Sequence, residues 1–276
     1  ADKLYKFLTK AKKDEITIKK EDKAITLQSG RARAGFGLSE EIRLPLEEVG
    51  EIGKWKKVPD DLIKNLRFAS FSCAKDMRKP IFTCVHVCKD GRVESTDRIR
   101  ITQCKGKKLP VSTFLIPASS IKELIRFNNI THIAEGTGWI HFKTEDETVF
   151  STRVLHKDNF PDPSEYFDIE GLELKLPKQI GDVLERASVF SKQEEQDQEI
   201  SVTLADSKMK IFAEDGAEWF EESMKVSYED DPVTFTIHPT LLKDIITLNN
   251  TAILGTSCLK FEGENWQHIV ALNSRE

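Results

Sequence analysis

Two stretches of this chain repeat one another. Residues 114–130 read FLIPASSIKELIRFNNI, and residues 235–251 read FTIHPTLLKDIITLNNT. Each is a short apolar run, a proline, an amphipathic stretch and a closing Asn-Asn. Proline suits the first turn of a helix, where its missing N–H would be unpaired anyway. A second pair follows the same plan with longer helices: residues 57–71, KVPDDLIKNLRFASF, match residues 176–190, LPKQIGDVLERASVF. Runs of alternating polarity such as 82–87, 138–143, 200–204 and 258–262 come after these helices, with the period of two that marks strands. The opening ADKLYKFL, followed by strand-like runs at 15–19 and 24–28, makes a fifth copy. Helix starts are expected at 1, 59, 117, 177 and 239, so short-helix and long-helix units alternate every 60 residues or so.

This repetition constrains the fold. One helix with a few strands cannot bury its apolar face alone, whereas two such units can, with both helices on one side of the sheets. The expected class is therefore α+β, with two units to a domain. The 276 residues then hold two complete pairs and one orphan unit. The domains are expected at 1–56, 57–168 and 169–276. The orphan, together with Ala1 in place of an initiator Met, leads to the expectation that a first half-domain is absent upstream. The alternative is a natural short form whose first unit docks differently.

Charge is unevenly distributed over these units. The expected helix 2–13 carries net +4, segment 59–79 carries +2, helices 117–128 and 177–192 carry +1 each, and helix 239–250 is neutral. With a net charge of -5 for the whole chain, the remainder is strongly acidic. If the helices share a surface, that surface would attract a polyanion through phosphate contacts without reading its sequence. Lys and Arg are also simply good helix formers on solvated faces. The five cysteines, Cys73, Cys84, Cys88, Cys104 and Cys258, are odd in number and scattered. No charged-then-apolar leader opens the chain, and no apolar run approaches the roughly 18 residues of a membrane span. A reducing, cytoplasmic location is expected.

Four segments resemble the bacterial DNA polymerase III beta sliding clamp family. Residues 27–33, LQSGRAR, resemble its SGRSRF-type strand, and 94–101, ESTDRIRI, its ATDGHRL segment. Residues 150–162, FSTRVLHKDNFPD, resemble the segment ending in FPDY, and 267–272, QHIVAL, the terminal YLVMPMRL strand. The resemblance implies the DNA-clamp fold: a head-to-tail homodimeric ring with helices lining a central hole, antiparallel sheets outside, and duplex DNA passing through without sequence specificity. Lys6, Lys10, Lys64, Arg67, Lys122, Arg126, Lys178 and Lys243 would then face the lumen, with Lys75, Arg78 and Lys79 near the DNA entrance.

The same resemblance implies a hydrophobic pocket for a short peptide of the polymerase catalytic subunit or the clamp loader. It maps to Ile81, Thr96, Arg98, Ile99, Arg100, Ile101, Pro161, Tyr166, Ile269, Val270 and Ala271. Arg98 stands where the family usually has Gly, Ile99 where it has His, and residues 273–276 depart from the MPMRL ending. Ring closure would set Arg31, Arg33 and Phe36 against Glu218, Trp219, Glu221 and Glu222, with Val189 and Phe190 nearby; basic strand against acidic strand is complementary.

No catalytic constellation accompanies these features, and no enzyme activity, cofactor or metal is expected. His86, His132, His141, His156, His238 and His268 are dispersed. Cys84 and Cys88 have C-x3-C spacing without a second ligand pair, a poor zinc signature. There is no G-x-x-x-x-G-K-[ST] loop and no G-x-S-x-G elbow. Asp97 reads as a turn or strand-end residue. Asn129-Ile-Thr and Asn249-Asn-Thr read as helix C-terminal turns. A second function stays open: a clamp-like protein that binds replication or repair partners without encircling DNA.

Overall fold

The computed structural model describes residues 2–11, 15–38, 49, 52–155, 160–192 and 198–274. Ala1, Lys12, Lys13, His156, residues 157–159 just before the Phe160-Pro161-Asp162 run and residues 275–276 lie outside the described residues. The chain forms two compact units, Ala1–Val49 and Gly50–Glu276.

In the first unit, helix α1 (Asp2–Lys10) precedes the antiparallel strands β1 (Thr17–Glu21), β2 (Ala24–Ser29) and β3 (Ala32–Gly37), in the order β1-β2-β3. Leu4 and Phe7 of α1 and Ala11 just beyond it are half-buried. The Phe7 ring meets that of Phe36 edge-on at 6.2 Å. Gly30, at φ 61°, makes the turn between β2 and β3 that a side chain would strain.

The second unit carries the other four repeats. Their helices are α2 (Leu62–Ala69), α3 (Ala118–Leu124), α4 (Ile180–Val189) and α5 (Pro239–Ile246). Helix starts recur every 56 to 62 residues from α1 to α5. The repeat reaches the packing itself. Leu62, Asn65, Leu66 and Ala69 are the buried face of α2, and Ile180, Val183, Leu184 and Ala187 that of α4, both at the i, i+3, i+4, i+7 spacing of one helix face. Two expectations are corrected. Pro59 and Pro177 do not open their helices. Each accepts from the N–H three residues on, Leu62 and Ile180, both at 3.1 Å, so α2 and α4 begin three residues late. The contrast between long and short helices is also slight. Beyond Ala69 the chain tightens into a 3-10 turn, Ser70–Ser72, which ends where Cys73 becomes extended.

The strands are β4 (Lys56–Lys57), β5 (Cys84–Val87), β6 (Arg92–Thr96), β7 (Arg100–Lys105), β8 (Phe114–Pro117), β9 (Ile130–Gly136), β10 (Trp139–Thr144), β11 (Val149–Arg153), β12 (Leu172–Lys175), β13 (Ile200–Ala205), β14 (Lys208–Asp215), β15 (Glu218–Lys225), β16 (Val233–Ile237), β17 (Thr251–Leu254), β18 (Cys258–Glu262), β19 (Trp266–Ala271) and β20 (Asn273–Ser274). They build three antiparallel sheets: β11-β10-β9-β4, β15-β14-β13-β16-β20, and an eight-stranded sheet β12-β17-β18-β19-β7-β6-β5-β8. The last joins two repeats, because β7 pairs with β19 from Arg100 opposite Val270 to Cys104 opposite Trp266. One apolar core is drawn from residues 58–142 and a second from residues 174–272. Phe68 and Trp266, with rings 5.1 Å apart, touch both. Among the described residues no helix is long and apolar enough to cross a membrane.

Candidate functional site

The β7–β19 seam organises the region around it. Along β7 the side chains alternate between the two sheet faces. Thr96, Ile101, Ile269 and Lys260 form one cross-strand row. Arg100 and Thr102 project to the other face, with Val270 and His268 opposite them.

The β6–β7 turn enters this seam. Asp97 holds it: its Oδ1 accepts from the backbone N–H of Ile99 (3.0 Å) and Arg100 (2.9 Å), as the strand-end reading expects. Thr96 Oγ1 donates to Arg100 O and accepts from the Arg98 N–H. Arg98 has φ 82°, a backbone conformation that favours glycine. The glycine that the resemblance implies at this position would suit such a turn. Here an arginine occupies it, with its guanidinium 5.8 Å from the Phe82 ring centre.

Arg98, Ile99 and Arg100 line a groove of about 660 Å³ together with Phe82, Asp97 and the Cys73–Lys79 loop on one side and His238, Thr240, Leu241 and Asp244 of α5 on the other. Ile99 is 48% exposed in it. Lys75, Arg78 and Lys79, expected near a DNA entrance, line this groove. Arg78 pairs with Asp76 at 3.0 Å. Arg100 is bonded internally: its Nε donates to Asp97 at 2.9 Å and its Nη1 to Asp244 at 3.1 Å. The α5 residues carry no local signal, since Asp244 reaches Arg100 across 144 positions of sequence.

The expected peptide residues therefore divide. Three line the groove, while Thr96, Ile101 and Ile269 share a row of the sheet. Ile81 is half-buried in the 3-10 turn Pro80–Thr83, and Pro161 and Tyr166 are exposed. Val270 is wholly buried in the 174–272 core and is a packing residue. Ala271 contributes its backbone, donating to Ile99 O at 2.8 Å.

Of the expected lumen residues, Lys64 and Arg67 of α2 line another groove of about 660 Å³ with Phe68, Phe71, Asp244, Leu248 and Trp266. Lys6, Lys10, Lys122 and Lys178 are exposed. Arg126 pairs with Glu123 at 2.9 Å, and Lys243 pairs with Glu185 across α4 and α5, so both are partly neutralised. The Lys243 ammonium holds the Glu185 carboxyl below its ordinary range.

The expected ring-closing strands, β3 and β15, are each at the edge of a sheet. Arg31, Arg33, Glu218 and Glu221 are exposed, as are Val189 and Trp219, the latter 63% so. Six of the expected contact residues also have partners within the chain: Arg33 pairs with Glu21 and Glu221 with Lys210, each at 3.4 Å, and the Trp219 ring stacks on Phe212 at 6.5 Å. Phe36 packs on Phe7, the Phe190 ring stacks on Phe220 at 5.8 Å, and Glu222 accepts a bidentate pair from Arg186 at 2.8 and 2.9 Å.

No family model and no curated protein matches the chain. Solved structures do. The sliding clamp of Pseudomonas aeruginosa bound to griselimycin is 19% identical at TM-score 0.76, covering 99% of this chain and 80% of that one. The DNA polymerase III beta chain of Streptococcus pneumoniae is 17% identical at TM-score 0.76, covering 100% and 79%. The beta subunit from Streptococcus pyogenes gives 17%, 0.73, 100% and 81%. The chain has the sliding clamp fold along its whole length.

Proposed function

We propose that the chain is a DNA sliding clamp, a non-enzymatic cytoplasmic protein of clamp domains at 1–56, 57–168 and 169–276. Two copies close head to tail around duplex DNA, and polymerase and clamp-loader peptides dock at the β7–β19 seam. The whole-chain match to clamp structures carries this reading. The exposed lysines on successive helices and the two sheet-edge strands of opposite charge support it. A clamp acts by tethering, which raises the effective concentration of its partner rather than changing bonds.

Retention on closed circular DNA tests encirclement. The protein should stay on circles and run off linear duplexes at moderate salt; equal loss from both sinks the ring. Charge reversal at Lys64, Arg67 and Lys122 should shorten retention. Each lost phosphate contact should flatten the slope of log affinity against log salt by about 0.9.

The seam groove has apolar contacts in Phe82, Ile99 and Leu241 and an excess of cationic over acidic side chains. It suits a short peptide that combines apolar and acidic residues. One structural neighbour is bound to griselimycin, so a clamp of this fold does hold a ligand. Ile99→Asp should weaken a polymerase-tail peptide at least tenfold in fluorescence anisotropy while leaving DNA retention intact; unchanged affinity would place the peptide elsewhere. The groove exists in a single chain, which favours the second reading, partner binding without encirclement, if retention fails and peptide binding persists.

A further inference from the structure

We propose that His86, Cys88 and Glu94 form a binding site for a zinc-class divalent transition-metal ion, with one coordination position left open to water. The site stands independently of the clamp reading.

The hairpin of β5 and β6 brings the three together. His86 and Cys88 lie two residues apart and so on one face, and Glu94 sits directly opposite His86 on β6. Gly91 turns the hairpin at φ 103°, where a Cβ would lie 2.3 Å from Gly106 O. The hairpin geometry is thus fixed by a glycine that admits no substitute.

The ligand atoms already have the spacing a metal requires. His86 Nδ1 lies 3.1 Å from Glu94 Oε2 and 3.5 Å from Cys88 Sγ, and Sγ is 3.8 Å from Oε2. A tetrahedral ion with bonds of about 2.3 Å to sulfur and about 2.0–2.1 Å to nitrogen and oxygen would set these edges near ~3.3, ~3.6 and ~3.6 Å. The agreement is within a few tenths of an ångström on every edge. One thiolate, one imidazole and one carboxylate form a set that selects zinc-class ions over magnesium or calcium, which take oxygen ligands.

The surrounding residues orient the carboxylate as outer-shell partners do at metal centres. Glu94 Oε1 accepts from Arg92 Nη1 at 2.8 Å and Gln103 Nε2 at 2.9 Å, which leaves Oε2 turned to the histidine and the thiol. Arg92 is itself anchored to Asp90 at 2.9 Å. The Phe160 ring, 4.7 Å from that of His86, walls the site. On binding, the thiol proton leaves to solvent, and thiolate and carboxylate together balance the dication. Cys84, the other half of the C-x3-C pair, is excluded. Its Sγ points to Pro80 O at 3.6 Å, and the cross-strand Glu94 takes the place a second cysteine would have held.

Titration of the full reduced, metal-stripped chain with Co²⁺ tests this. A thiolate-to-cobalt charge-transfer band should grow to saturation at one ion per chain and be bleached by Zn²⁺. Cys88→Ser should abolish the band, and His86→Ala and Glu94→Gln should each weaken binding at least tenfold. Cys258→Ser should leave it unchanged. No band in the wild-type chain, saturation only at millimolar cobalt, or a band surviving in a folded Cys88→Ser protein overturns the site.

Discussion

Arg100→Met should lower the free energy of unfolding by about 3 kcal/mol, whereas Asp244→Asn should cost less than about 1 kcal/mol. The difference follows from burial. The Arg100 side chain is 7% exposed, Asp97 16% and Asp244 45%. Removing the guanidinium leaves Asp97 a nearly buried carboxylate with only two backbone donors, and uncompensated buried charge is the costly outcome. It also removes a cation held 5.1 Å from the Phe71 ring centre. Asp244, by contrast, returns easily to water. Methionine fills much the same volume, so packing loss contributes little. Urea unfolding of the three proteins decides it. Should Arg100→Met fall within 0.5 kcal/mol of wild type, or should Asp244→Asn match it, the arginine is not the link between the β6–β7 turn and α5 described above. Peptide binding should also weaken in Arg100→Met, because the turn that presents Ile99 loses its anchor. Part of that loss would be indirect, since Arg100 Nε and Nη1 bond to Asp97 and Asp244.

Much of the fold was legible because the information is local. The apolar spacing of 62, 65, 66 and 69 recurs at 180, 183, 184 and 187, and helix periodicity needs no knowledge of the rest of the chain. The prolines marked the right neighbourhoods. They misplaced two helix starts because proline serves a preceding turn as readily as the first helical position. The Asn-Asn endings read correctly as well: Asn129 adopts φ 54°, and Asn249 Oδ1 accepts from the Thr251 N–H at 2.9 Å.

The site was legible only in part, and the misses share a cause. Resemblance could name residues along a strand but not the sheet face each would take, and Val270 and Ile269 fall on opposite faces by the alternation of a single strand. Lys75, Arg78 and Lys79 were placed by resemblance to the clamp family, which says nothing of the groove they share with Thr240, Leu241 and Asp244. The Arg100–Asp244 pair and the His86–Glu94 pair are both set by packing across strands or helices. A sequence scan for ligand spacing along one strand finds Cys84 and Cys88 and cannot find Glu94.

The seam itself should be acid-sensitive through His268. Its ring is fully buried, stacked on Phe71 at 5.0 Å, and its Nδ1 lies 2.8 Å from Thr102 Oγ1, which in turn is 2.6 Å from Ser72 Oγ. Nε2 meets no hydrogen-bond partner among the described residues. Burial, with a smaller contribution from the Arg100 guanidinium, drops the imidazole pKa to about 3 from 6.5. A histidine depressed in this way takes up its proton more readily when unfolded. Its contribution to stability is complete above pH 6.5 and is lost as pH falls toward 3, at about 1.4 kcal/mol per unit. Between pH 7.5 and pH 5 the wild-type chain should therefore lose about 2 kcal/mol more than His268→Gln. Glutamine can still meet Thr102 but does not titrate. Carboxylates held low by their partners, such as Asp90 and Asp162, and the buried His141, whose pKa is also lowered, occur in both proteins and cancel in the comparison. Parallel pH profiles for the two proteins would show that His268 does not titrate on unfolding. In Arg100→Met the opposing charge is gone, so the His268 pKa should rise and the acid loss should become smaller. The two substitutions must then be non-additive at pH 5 and closer to additive at pH 7.5.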